Sequence, residues 1–218
     1  MPKFFNLTLP QKGFTLIEAA MVMIIMGFLL SGLIMPLSIQ LDSRNYSESR
    51  KALGEIKEAL MGFALSNSAI DTRPYLPCPD TDGDGRENRA GNACTSQVGG
   101  LPAQDLGLQN IDAWNNVYTY SVAPQFSNNA TGFTLASPGN INVLNAAGGA
   151  NVVTNVPAVV FSRGKNGATA ATSADEVENT DADNVFVSRE FTPTFDDTVV
   201  WISPSVLFNR MVTAGRLP

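Results

Sequence analysis

The sequence predicts an α+β fold in which a long amino-terminal helix leads into a small antiparallel β-sheet. Residues 19–41 carry no charge, and residues 42–67 after them keep apolar side chains at spacings of three and four. Short runs rich in β-branched and aromatic residues then alternate with glycine, proline and asparagine. A long helical pattern followed by strand-like segments is typical of an α+β protein.

The uncharged segment 19–41 determines the prediction for the first half of the helix. It exceeds the roughly 20 apolar residues that cross a bilayer as an α-helix. Lys3 and Lys12 precede it, and positive charges favour retention on the cytoplasmic side of the membrane. We therefore expect a transmembrane helix with the polar remainder of the chain exported.

Residues 42–67 predict an amphipathic second half of the same helix. The apolar face consists of Leu53, Ile56, Leu60 and Phe63. The opposite side carries Lys51, Glu55 and Glu58. A helix with one apolar stripe buries that stripe against another element. We therefore expect this half to pack against the sheet of a globular head that occupies residues 68–218.

Five strand-like runs lie in the predicted head, at 117–122, 132–137, 141–144, 158–162 and 184–188. Their β-branched and aromatic residues, bounded by turn-forming residues, predict a small antiparallel sheet. The run 145–155, rich in asparagine, alanine and glycine, is predicted to be a surface loop. Ser203 before Pro204 predicts the start of a helix, and Gly215 predicts its end.

The composition excludes several functional classes. The net charge is −6, and no strongly basic stretch follows the apolar run. Nucleic-acid binding through phosphate neutralisation needs clustered lysine and arginine, so this partner is not expected. Histidine is absent from the sequence, which excludes histidine general bases, Ser-His-Asp and Cys-His nucleophile systems, and histidine-bearing metal sites.

The two cysteines, Cys78 and Cys94, predict one disulfide if the polar part of the chain is exported. A bond that closes a loop of about 15 residues stabilises a fold by about 3 kcal/mol in the chain-entropy treatment. Two cysteines without histidine do not complete a zinc shell, and their spacing is unlike that of a redox-active pair. The loop 78–94 is therefore predicted to be structural.

The segment "KGFTLIE" resembles the class III signal of type IV pilins and type II secretion pseudopilins. The resemblance rests on Gly13 followed by Phe14, on Glu18 five positions after the glycine, and on the apolar helix that follows. It implies a pilin-like fold and a prepilin peptidase that removes the leader 1–13 and methylates the new amino group of Phe14. The segment 14–41 is then both the membrane span and the core of a helical filament.

Glu18 lies where an ionised carboxylate costs several kcal/mol unless a cation pairs with it. The resemblance implies that Glu18 meets the amine of Phe14 in a neighbouring subunit and so sets the axial register. It also implies other pilin-like subunits, an assembly platform protein and a cytoplasmic ATPase as partners. The alternative is a local role in the headgroup zone, because the dipole at a helix start favours an anion.

Alternating aspartates in "DTDGDG" form one candidate Ca²⁺ site, made of Asp80, Asp82 and Asp84. Oxygen ligands at that spacing can converge on the ion, and Gly85 allows the sharp turn around it. The loop resembles the first half of an EF-hand, but Gly91 stands where the bidentate glutamate belongs. Glu87 or Asn88 would have to replace that ligand. The alternative is a solvated acidic turn held by the disulfide.

Four further aspartates form a second candidate Ca²⁺ site, made of Asp181, Asp183, Asp196 and Asp197. They lie in "NTDADN" and "FDDTVVW", which together with "SRGKNG" and "DAWNNVYTY" resemble elements of major pseudopilins. Ala113 and Asn115 depart from that pattern, and an insertion separates Lys165 from the first acidic element. Major pseudopilins bind calcium in a carboxy-terminal loop, so the resemblance implies a role for these aspartates. The alternative is a set of acidic turns on the surface.

These features lead us to expect a structural subunit of a type IV pilus-like filament and not an enzyme. The tryptophan and aspartate elements favour a type II secretion pseudopilin, inserted in the inner membrane of a bacterium with its head in the periplasm. The asparagine-rich loops favour the alternative of a major or minor type IV pilin in a surface fibre. An alternative of another class is a membrane-anchored extracytoplasmic binding protein or hydrolase with a catalytic aspartate pair.

Overall fold

The computed structural model describes residues 13–169, 171 and 173–218, and for residues 30–39 it describes the backbone alone. Residues 1–12, which hold Lys3, Lys12 and most of the predicted leader, lie outside the described residues. The chain divides into two compact units, Met1–Arg44 and Asn45–Pro218. The second is called the carboxy-terminal unit below.

Helices and strands follow one another over the described part of the chain. The helices are α1 (Leu16–Ser66), α2 (Ala103–Leu106), α3 (Pro124–Ser127), α4 (Ala174–Thr180) and α5 (Pro204–Thr213). The strands are β1 (Arg89–Ala90), β2 (Ala93–Cys94), β3 (Val98–Gly100), β4 (Thr119–Val122), β5 (Ile141–Leu144), β6 (Asn151–Val156), β7 (Ala158–Ser162), β8 (Val185–Val187) and β9 (Thr198–Ile202).

The first unit presents its apolar side chains on the outside of α1. Phe14 is 82% exposed and Leu16 is 92% exposed. Among the residues whose side chains are described, no helix is long and apolar enough to cross a membrane. The predicted span 14–41 lies partly outside that set, because only the backbone is described at 30–39.

The part of α1 within the carboxy-terminal unit is amphipathic, as predicted. Leu53, Ile56 and Leu60 are buried, whereas the charged residues on the opposite side are exposed. Phe63 is half-buried and packs edge-on against Tyr75, with ring centroids 5.6 Å apart. The apolar stripe of α1 therefore belongs to the core of this unit.

The central sheet is antiparallel and has the strand order β3-β4-β7-β9. Side chains alternate between its two faces, as the period of two in a strand requires. On β7, Val160 packs with the core cluster that includes the stripe of α1, whereas Val159 and Phe161 belong to a second cluster. Helix α5 adds Leu207 and Met211 to the first cluster.

A three-stranded sheet of order β6-β5-β8 contributes to the second cluster. Ile141, Val143 and Phe186 from this sheet share the cluster with Val159 and Phe161 of the central sheet. Strand β7 is thus buried on both faces, which explains why its sequence is a continuous apolar run. The pairing of β5 with β8 is parallel, so the prediction of one antiparallel sheet is corrected to a four-stranded antiparallel sheet, a mixed three-stranded sheet and an antiparallel pair of β1 with β2.

Two of the predicted strands, 141–144 and 158–162, have the predicted bounds, and those at 117–122 and 184–188 shorten to β4 and β8. The predicted strand at 132–137 is wrong. Ser137 Oγ accepts a hydrogen bond from the Thr134 backbone nitrogen (2.9 Å), and the Ser137 nitrogen donates to the Thr134 carbonyl (3.1 Å). These local bonds close a turn and compete with a strand ladder.

The predicted surface loop 145–155 is also corrected, because it contains strand β6. Asn145 closes the turn before it, since its Oδ1 accepts from the Ala150 nitrogen (2.9 Å). Val152 and Val153 then supply the β-branched residues of a hairpin with β5. Helix α5 agrees with its prediction, with Ser203 as the residue before the helix and Pro204 at its first position.

Candidate functional sites

The amino-terminal motif forms the exposed start of helix α1. Thr15 precedes the helix, and its Oγ1 accepts a hydrogen bond from the Glu18 backbone nitrogen (3.4 Å). Threonine followed three residues later by glutamate is the capping-box pattern of a helix start. Glu18 lies in the first turn with its side chain exposed. Gly13 and Phe14, the predicted cleavage pair, lie outside the helix and are also exposed.

Cys78 and Cys94 form a disulfide, which confirms that prediction. The bond ties β2 to the segment in front of the acidic loop. Within the closed loop, one Glu87 oxygen (Oε2) accepts a hydrogen bond from the Cys78 nitrogen (2.9 Å) and lies 2.8 Å from Arg89 Nη2. Arg89 also donates to the Ser127 carbonyl (2.7 Å). The interior of the loop is therefore held by an ion pair as well as by the disulfide.

The three aspartates of "DTDGDG" lie close together, with one oxygen of each within 4.8 Å of the others. Asp80 is buried, and its carboxylate accepts backbone hydrogen bonds from Asp82 (3.1 Å), Gly83 (2.7 Å) and Gly85 (2.8 Å). Gly83 and Gly85 have φ near +80°, a region that glycine enters without steric cost. The Asp80 carboxylate is therefore already satisfied by hydrogen bonds from backbone nitrogens.

The substitute ligands proposed for this loop are engaged elsewhere. Glu87 faces Cys78 and Arg89, as described above. Asn88 Oδ1 accepts from the Thr81 nitrogen (2.6 Å) and hydroxyl (3.0 Å), and its amide nitrogen donates to Asp82 (3.2 Å). Asp82 and Asp84 remain exposed. The arrangement resembles a hydrogen-bonded acidic turn more closely than an ion cage.

The structure divides the second set of four aspartates between two places. Asp181 and Asp183 cluster with Glu178 near the end of α4, and both aspartates are exposed. Asp196 and Asp197 cluster with Glu176, and all three are buried. The two pairs of this candidate site therefore belong to separate acidic clusters, and calcium binding by either pair stays a prediction.

The cluster of Glu176, Asp196 and Asp197 is called the buried acidic cluster. One carboxylate oxygen from each residue lies within 4.8 Å of the others. The exposed fractions are only 2% for Glu176 and 8% for each aspartate. Three carboxylates at this burial are costly unless protons or a cation compensate them.

Two local features bring the buried acidic cluster together. Ser173 Oγ accepts from the Glu176 nitrogen (3.2 Å) and starts helix α4, which sets Glu176 in its first turn. Gly164, in the turn after β7, has φ +61°, and a Cβ there would lie 2.5 Å from the Asp196 carbonyl oxygen. A glycine is therefore required for the turn to approach the start of β9.

Hydrogen bonds satisfy the buried acidic cluster only in part. Asp196 Oδ2 accepts from the backbone nitrogens of Lys165 (2.8 Å) and Asn166 (3.1 Å). The Asn166 amide donates to Glu176 Oε1 (2.8 Å). Glu176 Oε2 and Asp196 Oδ1 are buried without a hydrogen-bond partner among the described residues. Buried carboxylate oxygens without a partner are rare in folded proteins, and a proton, a cation or a water would satisfy them.

Burial raises the pKa of Asp197 to about 7. A hydrogen bond from Asn179 (2.7 Å) and the charge of Arg163 oppose the rise, whereas the charges of Glu176 and Asp196 add to it. Burial also raises the pKa of Asp196. Desolvation disfavours the ionised form of a carboxyl group, so the cluster favours uptake of positive charge.

The segment "DAWNN" organises a turn, and its Asp112 is not part of any of the three acidic clusters. Asp112 Oδ1 accepts from the nitrogens of Trp114 (2.9 Å) and Asn116 (2.8 Å), and its Oδ2 accepts from the Ser162 hydroxyl (2.5 Å). Asn115 has φ +65°, a conformation that asparagine tolerates better than most residues. The departure at Asn115 thus leaves the turn intact.

Comparison with known proteins adds a finding about the amino terminus. Residues 9–34 match the prokaryotic N-terminal methylation motif. The matched range includes Gly13, Phe14 and Glu18. This methylation motif supports a type IV pilin-like chain that is processed by a prepilin peptidase and assembles into a filament. Comparisons with curated proteins and with solved structures find no match.

Sequence reasoning missed two glutamates of the acidic clusters, Glu176 and Glu178, and Glu176 is the buried one. The pattern Ser173 to Glu176 is a capping box and could have placed the start of a short helix there. Its proximity to Asp196 depends on the turn at Gly164 and on the pairing of β7 with β9. That proximity is tertiary information, which the spacing of acidic residues does not contain.

Proposed function

We propose that the chain is a structural subunit of a type IV pilus-like filament and, more specifically, a pseudopilin of a type II secretion system. The observation that carries the proposal is the methylation motif at 9–34, with Glu18 in the first turn of α1. The subunit is inserted in the inner membrane as a single pass through 14–41, with its head in the periplasm. A prepilin peptidase cuts after Gly13 and methylates Phe14.

Assembly then follows from burial and charge. The apolar side chains around the outside of the first unit's helix would otherwise remain exposed, and helix–helix packing in the filament core covers them. Cleavage creates an amine at Phe14, and this cation pairs with Glu18 of a neighbouring subunit. The pair compensates a charge that is costly in an apolar layer. The assembly ATPase and platform protein supply the energy, so the chain itself needs no catalytic turnover.

The choice of pseudopilin over surface pilin rests on the carboxy-terminal unit. The turn organised by Asp112 and the acidic pair Asp196 and Asp197 correspond to elements that resemble major pseudopilins. A surface fibre is the alternative outcome. Electron microscopy of whole cells separates the two, because a pseudopilin filament stays within the periplasm at natural expression whereas a pilin fibre extends from the cell.

We also propose that the buried acidic cluster holds Ca²⁺. Calcium takes oxygen ligands almost exclusively, and carboxylates supply them here. The orphaned oxygens of Glu176 and Asp196 support the proposal, as does the electrostatic cost of three buried carboxylates. When bound, the ion would join α4 to the start of β9 and stabilise the head. The loop around Asp80 has weaker support as a calcium site, because backbone nitrogens already donate hydrogen bonds to the Asp80 carboxylate.

The test of the filament proposal is the replacement Glu18→Ala in the natural host. We expect insertion and cleavage to continue while filaments and secretion are lost. Glu55→Ala is the matched control, because Glu55 is another exposed glutamate on α1 and its ion pair with Lys51 (3.7 Å) is also exposed. Mass spectrometry of the amino terminus and recovery of sheared or periplasmic filaments are the measurements. Mature protein that still begins at Met1 would overturn the proposal.

A further inference from the structure

A cavity of about 660 Å³ opens on the carboxy-terminal unit. Its walls come from β3, from the segment that leads into β4, from the turn after β7 and from the end of α4. None of the three residues of the buried acidic cluster lines it. Its volume is within the range of small-molecule sites, roughly 300–1,000 Å³. This space is called the Arg163 cavity, after the one cationic side chain among the described residues that line it.

The guanidinium of Arg163 is open to a ligand. It forms no ion pair or hydrogen bond with the described residues, and its Nε is buried without a partner. Gly167 leaves room for this side chain, because a Cβ at Gly167 would clash with Arg163. A buried donor without an acceptor is costly, and a guanidinium pairs with a carboxylate through a planar fork of donors. The cavity therefore presents an unpaired cation to an anion.

Two carboxylates reduce the positive potential around Arg163 without pairing with it. Asp80 lines the same cavity, but its oxygens accept the three backbone hydrogen bonds described above. Asp197 lies behind the cavity wall, close enough for the charge of Arg163 to lower the pKa of its carboxyl group. A ligand with one negative charge therefore suits the cavity better than a doubly charged phosphate, because each further charge adds repulsion from these carboxylates.

The neutral polar side chains of the cavity offer mainly acceptors. The Thr81 hydroxyl donates to Asn88 Oδ1 (3.0 Å), and the Thr180 hydroxyl donates to a carbonyl of its own helix α4 (3.1 Å). Asn116 Nδ2 donates to the Gly164 carbonyl (2.6 Å). The donors are thus used within the fold, whereas the three side-chain oxygens keep free lone pairs. Hydroxyl groups of a ligand can donate to these oxygens.

From these features we infer that the Arg163 cavity binds a single carboxylate carried on a hydroxylated skeleton, which is the chemistry of a sugar acid. The carboxylate pairs with the guanidinium, and ligand hydroxyls donate to the oxygens of Thr81, Asn116 and Thr180. The inference is independent of the filament proposal, because no residue of α1 lines the cavity. It adds a ligand-binding role to the carboxy-terminal unit.

The test titrates the full-length protein in detergent micelles with sodium D-glucuronate, by isothermal titration calorimetry. Glucose lacks the carboxylate and propionate lacks the hydroxyls, so each should bind at least about tenfold more weakly than glucuronate. Glucuronate that does not bind, or binds no better than either of these, would overturn the inference. A glucuronate-containing trisaccharide that binds more tightly than glucuronate would assign the cavity to a polysaccharide, whereas an equal or weaker affinity would assign it to the free sugar acid.

Variants of the same protein test the role of the arginine. Arg163→Gln should weaken glucuronate binding about tenfold or more, and Arg163→Lys should weaken it less, because lysine keeps the charge but not the fork of donors. Arg50→Gln is the matched control, since Arg50 is an exposed arginine on α1 outside the cavity. Unchanged binding in Arg163→Gln, or an equal loss in Arg50→Gln, would overturn the inference. If Arg163→Gln does not fold, the comparison of ligands on the unaltered protein still decides.

Discussion

The loop around Asp80 and the buried acidic cluster each bring three carboxylates together, but they differ in how far hydrogen bonds and solvent compensate the negative charge. In the loop, Asp80 accepts three backbone hydrogen bonds and its two companions are exposed. In the cluster, all three residues are buried, and oxygens of Glu176 and Asp196 have no partner among the described residues. The loop is satisfied without an ion, whereas the cluster is not.

This difference shows that spacing in the sequence and demand for a cation are separate properties. The alternating aspartates of the loop give the clearer calcium pattern, but the turn they form supplies its own donors. The cluster shows no motif, since Glu176 is distant in sequence from the aspartates, yet desolvation there favours a cation. Burial and unpaired oxygens are therefore better guides than acidic spacing to where a cation would be favoured.

The largest effect should come from pH in the absence of metal. Because the pKa of Asp197 is raised from 3.8 to about 7, the folded state keeps a proton that the unfolded state releases. Stability of the full-length protein in EDTA should therefore fall as pH rises from about 4 to about 7, by at most about 4 kcal/mol. Urea unfolding at a series of pH values measures this.

Two controls sharpen the pH experiment. Asp197→Asn should flatten most of the slope, because the variant has no proton to lose at that position. Asp196 contributes the remainder, since burial raises its pKa as well. Excess Ca²⁺ should also flatten the slope by replacing the proton. An unchanged slope in Asp197→Asn would show that the pH dependence arises elsewhere.

Asp80→Ala should give the next largest effect, a loss of about 3 kcal/mol with or without calcium. The replacement leaves the backbone nitrogens of Asp82, Gly83 and Gly85 without their acceptor. Chemical denaturation in EDTA and in calcium measures it. Asp84→Ala is the control and should cost less than about 1 kcal/mol, because Asp84 is exposed and accepts one bond, from Arg86. A loss that calcium reverses would make the loop an ion site.

Calcium itself should stabilise the protein by about 2.7 kcal/mol when its concentration is a hundred times the dissociation constant. Glu176→Gln should abolish the calcium-dependent rise in Tm, because it removes a buried anionic ligand. The matched variant Asp82→Asn, in the loop, should retain the full rise. Differential scanning calorimetry of both variants decides the matter. The reverse pattern would assign the ion to the loop.

The smallest effect is expected from Asp183→Asn in the exposed cluster after α4. Asp183 Oδ1 accepts from the Val185 nitrogen (2.7 Å), and asparagine retains an oxygen for that bond. Stability should stay within about 0.5 kcal/mol, as for most surface substitutions, and the calcium response should be unchanged. A lost calcium response would show that this exposed cluster participates in binding.

The sequence predicted the parts of the fold that repeat a simple pattern. Strands 141–144 and 158–162 were recoverable because β-branched residues are bounded by clear turn signals. Strand β6 was not, because asparagine and glycine around Val152 are typical of loops, and only pairing with β5 makes the segment extended. The opposite error occurred at 132–137, where a strand was predicted but Thr134 and Ser137 form local hydrogen bonds instead.

The candidate sites also divide into those that local sequence signals predict and those that depend on the folded chain. The methylation motif and the disulfide depend on local or compositional signals, and both were visible in the sequence. The division of the four carboxy-terminal aspartates was not visible, because it depends on the path of the chain between α4 and β9. The role of Gly164 was hidden for the same reason, as its close approach to Asp196 exists only in the folded chain.

The side chain of Asn179 links the buried acidic cluster to strand β8. Its Nδ2 donates hydrogen bonds to Asp197 Oδ2 (2.7 Å) and to the Val187 carbonyl (3.2 Å). Deamidation of this one residue would remove both donors and add a fourth carboxyl group beside Asp197. Spontaneous chemical ageing at a single amide would therefore loosen the edge of the three-stranded sheet and increase the repulsion within the cluster at the same moment.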